Sequence, residues 1–201
     1  MKLTWLGHAC FALEESGYRI LLDPYDGVEG YPPLAAEAHE ILCSHQHHDH
    51  NAVEKVRRLP AGKSPFELRT VETFHDDRGG ALRGTNTVHI LTAGGVTVAH
   101  LGDLGHPLTA EQAAAIGPVD GLLIPVGGIY TLDAAGAWAV CRMLSPRWVV
   151  PMHYHHPPFG LPEVSGVEPF LALWPETAVH HLPGRELVPT EETGGVQVLH
   201  F

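Results

Sequence analysis

Residues 43–51, CSHQHHDHN, place four histidines and one aspartate between His45 and His50. Imidazole nitrogens and carboxylate oxygens are the ordinary protein ligands of zinc and similar divalent cations. The stretch before them, HEILC, has the character of a strand, and side chains alternate along a strand. His45 and His47 are therefore expected on one side as the strand ends, with Asp49 and His50 following from the turn. Two groups at i and i+2 and two more at i+4 and i+5 crowd around a single ion badly. They suit two adjacent ions, His45 and His47 on one, Asp49 and His50 on the other. The plain alternative is a histidine-rich surface turn. The apolar strand before the cluster and the carboxylate inside it argue against that.

A two-ion centre needs further ligands. Several strands can deliver them to one rim if they lie just past strand ends. Three residues pass that filter: His75 ends FELRTVETFHDD, Asp103 ends VTVAHLGDLG, and His153 ends RWVVPMHYHH. A histidine would complete the set around each ion, and a carboxylate between the two sets would bridge them. Zinc suits such nitrogen and oxygen donors, and Mn2+ or Fe2+ fits too, because no thiolate is in the set. The three cysteines, Cys10, Cys43 and Cys141, form no CxxC and sit in apolar contexts, so buried free thiols are expected.

The elements that must carry these residues are legible as apolar runs. Strand-like stretches fall at residues 2–6, 10–15, 18–23, 39–44, 66–74, 87–92, 96–101, 121–126, 147–152, 177–182 and 195–200. Helical patterns fall at 51–59, at 109–117 between Thr109 and Gly117, at 132–144 behind Asp133, and at 167–174 before Pro175. Strands dominate the early half, and strand and helix alternate later. The expectation is a layered α/β protein, one domain over residues 1–201, with sheet covered by helices.

Composition narrows the partners. A net charge of −11 gives no general basic surface for a nucleic acid polymer. No apolar run reaches the length of a membrane span. The opening MKLTWLGHACFALEE lacks a basic head followed by an unbroken apolar stretch. A soluble, cytoplasmic protein acting on a small molecule is expected.

The motif His45-x-His47-x-Asp49-His50, followed by a histidine, a GD and PMHY, resembles the metallo-β-lactamase-fold hydrolases. The opening LTWLGHACF with LLDP at 21–24 is similar to the branch containing ascorbate-6-phosphate-lactonase-like proteins. HDDRGGALRGTN, HLGDLGH and LIPVGGIYTLD look like that branch's uncharacterised metal-dependent hydrolases, and the resemblance runs from residue 1 to about 156. It implies a four-layer αβ/βα sandwich with two metal ions at one sheet edge. It also implies that His45, His47 and His75 bind one ion, that Asp49, His50 and His153 bind the other, and that Asp103 bridges them. Asp76 and Asp77 compete with His75 for its role. No cysteine follows the bridging position, and no long cap domain is inserted.

Two close cations lower the pKa of a shared water, so a hydroxide bridging them near neutral pH is the expected nucleophile. Asp49 is expected to orient it as well as to ligate, and Asp49 and Asp103 are the candidate catalytic groups. The cleaved bond would be in a small ester, phosphodiester or lactone. A metal-binding sensor or scaffold without turnover would carry the same ligands. His8, in LGHACF, is expected to line the site or donate a proton, or else to be a turn residue bonded to backbone. Asp23 is expected to orient a ligand histidine. Arg83, in the glycine-rich GGALRG, is expected to reach an anionic substrate group from a mobile rim. GKS at 62–64 is not a phosphate loop, because Arg57 stands where a glycine is required and Pro65 follows. His48 should point away from the ions, and His89 and His100 belong to the sheet.

Overall fold

The computed structural model describes all 201 residues. The chain opens as a meander of β1 (Lys2–Gly7), β2 (Cys10–Glu15) and β3 (Tyr18–Leu22). Ser16 and Gly17 make the second of its turns in two residues, Glu15 opposite Tyr18. Both have positive φ, 50° and 78°, which is the backbone of a type I′ hairpin and matches the twist of the strands. Two short strands follow, β4 (Ala36–Ala38) and β5 (Glu40–Leu42), then β6 (Val56–Arg58). The long hairpin of β7 (Glu67–Phe74) and β8 (Thr85–Ala93) leads into β9 (Val96–His100). The remainder alternates: α1 (Ala110–Ile116), β10 (Gly121–Pro125), α2 (Ala134–Leu144), β11 (Trp148–Met152), α3 (Glu168–Leu171), β12 (Val179–His181), β13 (Glu186–Leu187) and β14 (Gly195–Val198).

These strands form two main sheets. One has five strands in the order β13-β1-β2-β3-β5, the other seven in the order β12-β14-β11-β10-β9-β8-β7, and β4 pairs with β6 separately. The sheets face each other across one core of 36 buried residues. Leu3, Trp5, Phe11, Leu13 and Ile20 enter it from the first sheet, and Val88, Val98, Leu122, Val150 and Val196 from the second. Along β1 burial alternates, whereas every residue of β10 and β11 is buried. Those are parallel central strands, covered on both faces and apolar throughout.

Helices are few and belong to the seven-stranded sheet. α1 contacts β7, and α2 contacts β10 and α3. Thr109 and Gln112 make a reciprocal capping box at the start of α1, and Asp133 caps α2. No α-helix precedes Ala110. The outer face of the first sheet is covered instead by a small cluster in which Tyr25, Val28, Ala38 and Val56 close over Cys10, Ala12 and Leu21.

The expected helix at 51–59 is a single 3-10 turn, Val53–Lys55, followed by β6. Val56 is β-branched and buried in that small cluster, and β6 pairs in parallel with β4; this tertiary pairing overrides the local helical pattern. The strand expected to run to residue 44 stops at Leu42, and the helix expected at 167–174 is four residues long. No helix is long and apolar enough to cross a membrane.

Candidate metal centre

β1, β3 and β5 run the same way in the first sheet, and β7, β9 and β11 run the same way in the second. Just beyond the C-terminal ends of these six lie His8, Asp23, the 43–50 stretch, His75, Asp103 and His153. Strand direction therefore brings together residues more than a hundred positions apart. The main chain is bent to do so. His8, Asp23 and His153 have φ of 52°, 45° and 52°, half of the non-glycine residues with positive φ in the chain. Such strain gathers where surrounding structure fixes a functional geometry.

Asp103 stands at the middle. Its Oδ2 lies 3.3 Å from His75 Nε2, 3.3 Å from His153 Nε2 and 3.9 Å from His45 Nε2, and its Oδ1 lies 3.3 Å from His50 Nε2. Two groups of donors flank it, each with ligand atoms within 4.8 Å of one another: His45, His47 and His75 on one side, and His8, Asp49, His50 and His153 on the other. The seven residues expected as ligands all converge here, and His8 joins them. Asp76 does not compete with His75. Its carboxylate accepts the backbone N–H groups of Arg78, Gly80, Leu82 and Arg83 at 2.8–2.9 Å, and these bonds hold it down to about 2 against the upward push of desolvation. The GGALRG segment is thus tied to one carboxylate and is not the loose rim expected.

Asp23 organises the cluster from behind. It is fully buried, its Oδ2 takes the Nδ1–H of His50 at 2.8 Å, and it accepts both the backbone N–H and the hydroxyl of Ser44 at 2.6 Å. The Ser44 hydroxyl in turn lies 2.9 Å from His45 Nδ1 and accepts from it. One carboxylate so fixes the tautomers of two rings, leaving Nε2 of His45 and of His50 as free lone pairs. Asn86 does a related job for Asp103. Its side chain donates to the carbonyl of Leu101 at 2.9 Å and accepts the N–H of Asp103 at 2.9 Å. Gly102, between them, has φ 54°, and a Cβ there would strike Asn86 and Ser44.

The donor set fits divalent cations. Nε2 of His8, His45 and His50 and Oδ1 of Asp103 are buried without hydrogen-bond partners, an expensive arrangement for polar atoms unless a cation receives them. Burial and neighbouring histidines push His45 down to about 3 and His8 to about 4, so both rings offer lone pairs at neutral pH. His50 goes the other way: burial alone would depress it, but Asp103 and Asp23 on either side raise it well above the ordinary value. A cation would take the place of that proton. The two carboxylates are held ionised against their burial, Asp103 by His153 and His50, and Asp49 by His8 and His50.

A cavity of about 420 Å³ opens over the cluster, within the range of small-molecule sites. His47, Asp49, His75, Asp103 and His153 are on its floor, and Val28, Leu161, Arg83, Tyr130 and Glu163 line its walls. The Arg83 guanidinium lies 5.4 Å from the centre of the Tyr130 ring, and the Tyr130 hydroxyl donates to Glu163 at 2.9 Å. His8 is not part of the lining; it is buried below it. A larger groove of about 560 Å³ lies on the outer face of the first sheet, away from the cluster. Its charges pair among themselves, Lys2 with Glu186, Arg19 with Glu14, and Arg57 with Glu37.

Other histidines have plain roles. His100 bonds the carbonyl of Ala9 and accepts the N–H of Gly102, His89 bonds the carbonyl of Cys43, and His48 is exposed. Sequence reasoning missed Ser44, Asn86, Tyr130 and Glu163. Ser44 lies inside the histidine stretch, where a hydroxyl next to a candidate ligand was a usable signal. Nothing local marks Tyr130 or Glu163, which meet Arg83 only through the fold.

Residues 2–153 match the Beta-lactamase superfamily domain. A UPF0173 metal-dependent hydrolase of Carboxydothermus hydrogenoformans is 33% identical over 77% of this chain and 85% of its own length. Another, of Archaeoglobus fulgidus, is 32% identical over 77% of this chain and 84% of its own. The crystal structure of a metallo-beta-lactamase superfamily protein from Thermotoga maritima superposes with a TM-score of 0.78 at 35% identity, covering 98% of this chain and 97% of that one.

Proposed function

The chain belongs to the UPF0173 metal-dependent hydrolases of the β-lactamase superfamily, and from that premise we propose that it is a two-metal hydrolase of small anionic esters. A phosphodiester or a sugar-phosphate lactone is the substrate class put forward. The observation that carries this is the position of Asp103, whose carboxylate has histidines of both donor groups within 3.3–3.9 Å. In this assignment His45, His47 and His75 hold one ion, zinc being the first choice for such donors, and Asp49, His50 and His153 hold a second. Asp103 would be shared between them. Bound ions would supply a water of lowered pKa and positive charge for the oxyanion that develops at carbon or phosphorus.

The chain's own residues do the rest. Asp49 lies at the cavity floor beside His8 and His50, where its free oxygen can accept a proton from the attacking water and orient it. Asp23 and Ser44 keep the rings of His50 and His45 from turning. Arg83, held in place by Tyr130 and the Asp76 loop, offers a cation on the wall for a charged group remote from the scissile bond. Glu163 on the same wall offsets part of that charge, so the pocket favours one anionic group over a polyanion. Val28 and Leu161 supply the apolar part of the lining.

Elemental analysis after reconstitution, combined with a panel of lactones and phosphodiesters, tests this. Two ions per chain and turnover of an anionic member of the panel are expected. One ion or none would sink the two-metal assignment. Two ions with no turnover of any ester would favour a sensor or scaffold.

A further inference from the structure

His8 is the one residue converging on the cluster that the ligand assignment above leaves idle. Three roles are open to a histidine at this place, and the geometry separates them. As a substrate contact it would have to reach the cavity, yet it is 2% exposed and absent from the lining. As a mere turn residue it would need no ring. The turn is held by its carbonyl, which accepts the Trp5 indole N–H at 2.9 Å and the His153 N–H at 3.5 Å. The conformation itself, φ 52°, would cost a glycine less.

The third role is to face the second donor group directly. The ring of His8 is 4.1 Å from that of His153 and 5.2 Å from that of His50, centroid to centroid. Its Nε2 is buried and has no hydrogen-bond partner. The nearest acceptor, Asp49 Oδ2, is 3.4 Å away, and the same oxygen is 3.8 Å from His50 Nε2. A hydrogen bond between an imidazole and a carboxylate is shorter, about 2.7–2.9 Å. Two ligands on one four- or five-coordinate ion with bonds of about 2.0–2.2 Å stand about 2.8–3.8 Å apart. The spacing is that of donors sharing an ion, not of donors sharing a proton.

We infer that His8 is a fourth protein ligand on the second ion, beside Asp49, His50 and His153. The inference rests on the two-metal reading proposed above. With four side chains of its own and a share of Asp103, this ion is the more fully held by protein. The ion of His45, His47 and His75 has one ligand fewer, and its His47 is exposed. The two should therefore differ sharply in affinity and exchange.

The test is metal competition on the full-length, reconstituted protein with a chelator of known affinity. The variants are His8→Ala, His8→Gln and, as comparator, His153→Ala. His8→Gln can donate to Asp49, so it would preserve a merely positional role while removing the imidazole ligand. The expected result is two ions on the wild type. Both His8 variants should bind the tighter ion about a hundredfold or more weakly, as His153→Ala does, with the weaker ion unchanged. Melting of the metal-free variants close to the metal-free wild type shows that the fold is intact. Two ions of unchanged affinity in His8→Gln would overturn the role of His8 while leaving the two-metal reading standing. Fewer than two ions on the wild type would remove both. Should the variants not fold, anomalous scattering from zinc-loaded wild-type crystals decides. His8 Nε2 within about 2.3 Å of an ion supports the inference, and a separation beyond about 3 Å overturns it.

Discussion

The two sides of the histidine cluster are built differently. His45, His47 and His75 come from a loop and a strand end with ordinary backbone, and His47 is exposed at the cavity floor. His8, Asp49, His50 and His153 include two residues of positive φ, and three of the four are almost fully buried. Both sides reach the cavity floor, but only the first puts an exposed ring there, that of His47, so it is the more open of the two. Histidine donors alone do not make this distinction, since both sides have them. Burial and backbone strain do. A side braced at a conformational cost of order 1–3 kcal/mol per strained residue is suited to holding an ion tightly, and the more open side to exchanging one.

The strongest way to break the comparison is to remove what both sides share. Asp103→Asn keeps the shape of the side chain and deletes its charge. Turnover is expected to fall by about a thousandfold or more with the fold retained, measured as kcat in a metal-replete assay. Near-wild-type rates would mean that the two sides do not depend on a common carboxylate. Next in size is selective loss. His47→Ala should release the open-side ion and His153→Ala the braced one, each leaving the other in place by elemental analysis. Loss of both ions from either variant would show one coupled site instead of two sides.

A smaller change sharpens the contrast through the groups behind the rings. Asp23→Asn should weaken metal binding by about 10–100-fold, chiefly on the braced side, where Asp23 bonds His50 directly. Ser44→Ala should touch mainly the open side, because Ser44 is the partner of His45. Equal effects of the two changes on both ions, followed by chelator titration, would erase the distinction. The least effect is expected at the wall. Arg83→Ala should raise KM severalfold for anionic esters and leave neutral ones nearly unchanged. Equal shifts for both would take Arg83 out of substrate recognition.

Much of this was legible before the fold was known. The strand-end rule picked His75, Asp103 and His153, and direction within each sheet explains why it works: the six delivering strands end on one rim. The hairpins and both helix caps of α1 and α2 are written locally, in Ser16-Gly17, Thr109 and Asp133. The rest is non-local. Whether His8 lines the site or only bonds its own turn is undecided in the sequence until it is seen beside His153, 145 positions away. Segment 51–59 carries a helical pattern, yet Val56 gains more by closing the small cluster over the first sheet. GGALRG looks flexible because glycines are visible in a sequence and four bonds to Asp76 are not.

The closing stretch of the chain has a consequence for how the protein comes into being. Residues 157–201 place β12 and β14 in one sheet and β13 in the other, where Leu187 pairs with Leu3 and the N–H of Trp5 bonds the carbonyl of Arg185. Phe201 lies against Trp5, Tyr31 and Phe159. β1 and residues 185–201 are thus neighbours, and few of the contacts that close the sandwich are local in sequence. Such a topology pays the entropy of long loops before any contact rewards it, and it folds slowly for its size. β1, which carries His8, gains its edge partner β13, and β11, which carries His153, gains its neighbour β14, only once residues 186–198 are in place. Both walls of the histidine cluster are thus braced by a segment that itself holds none of its donors.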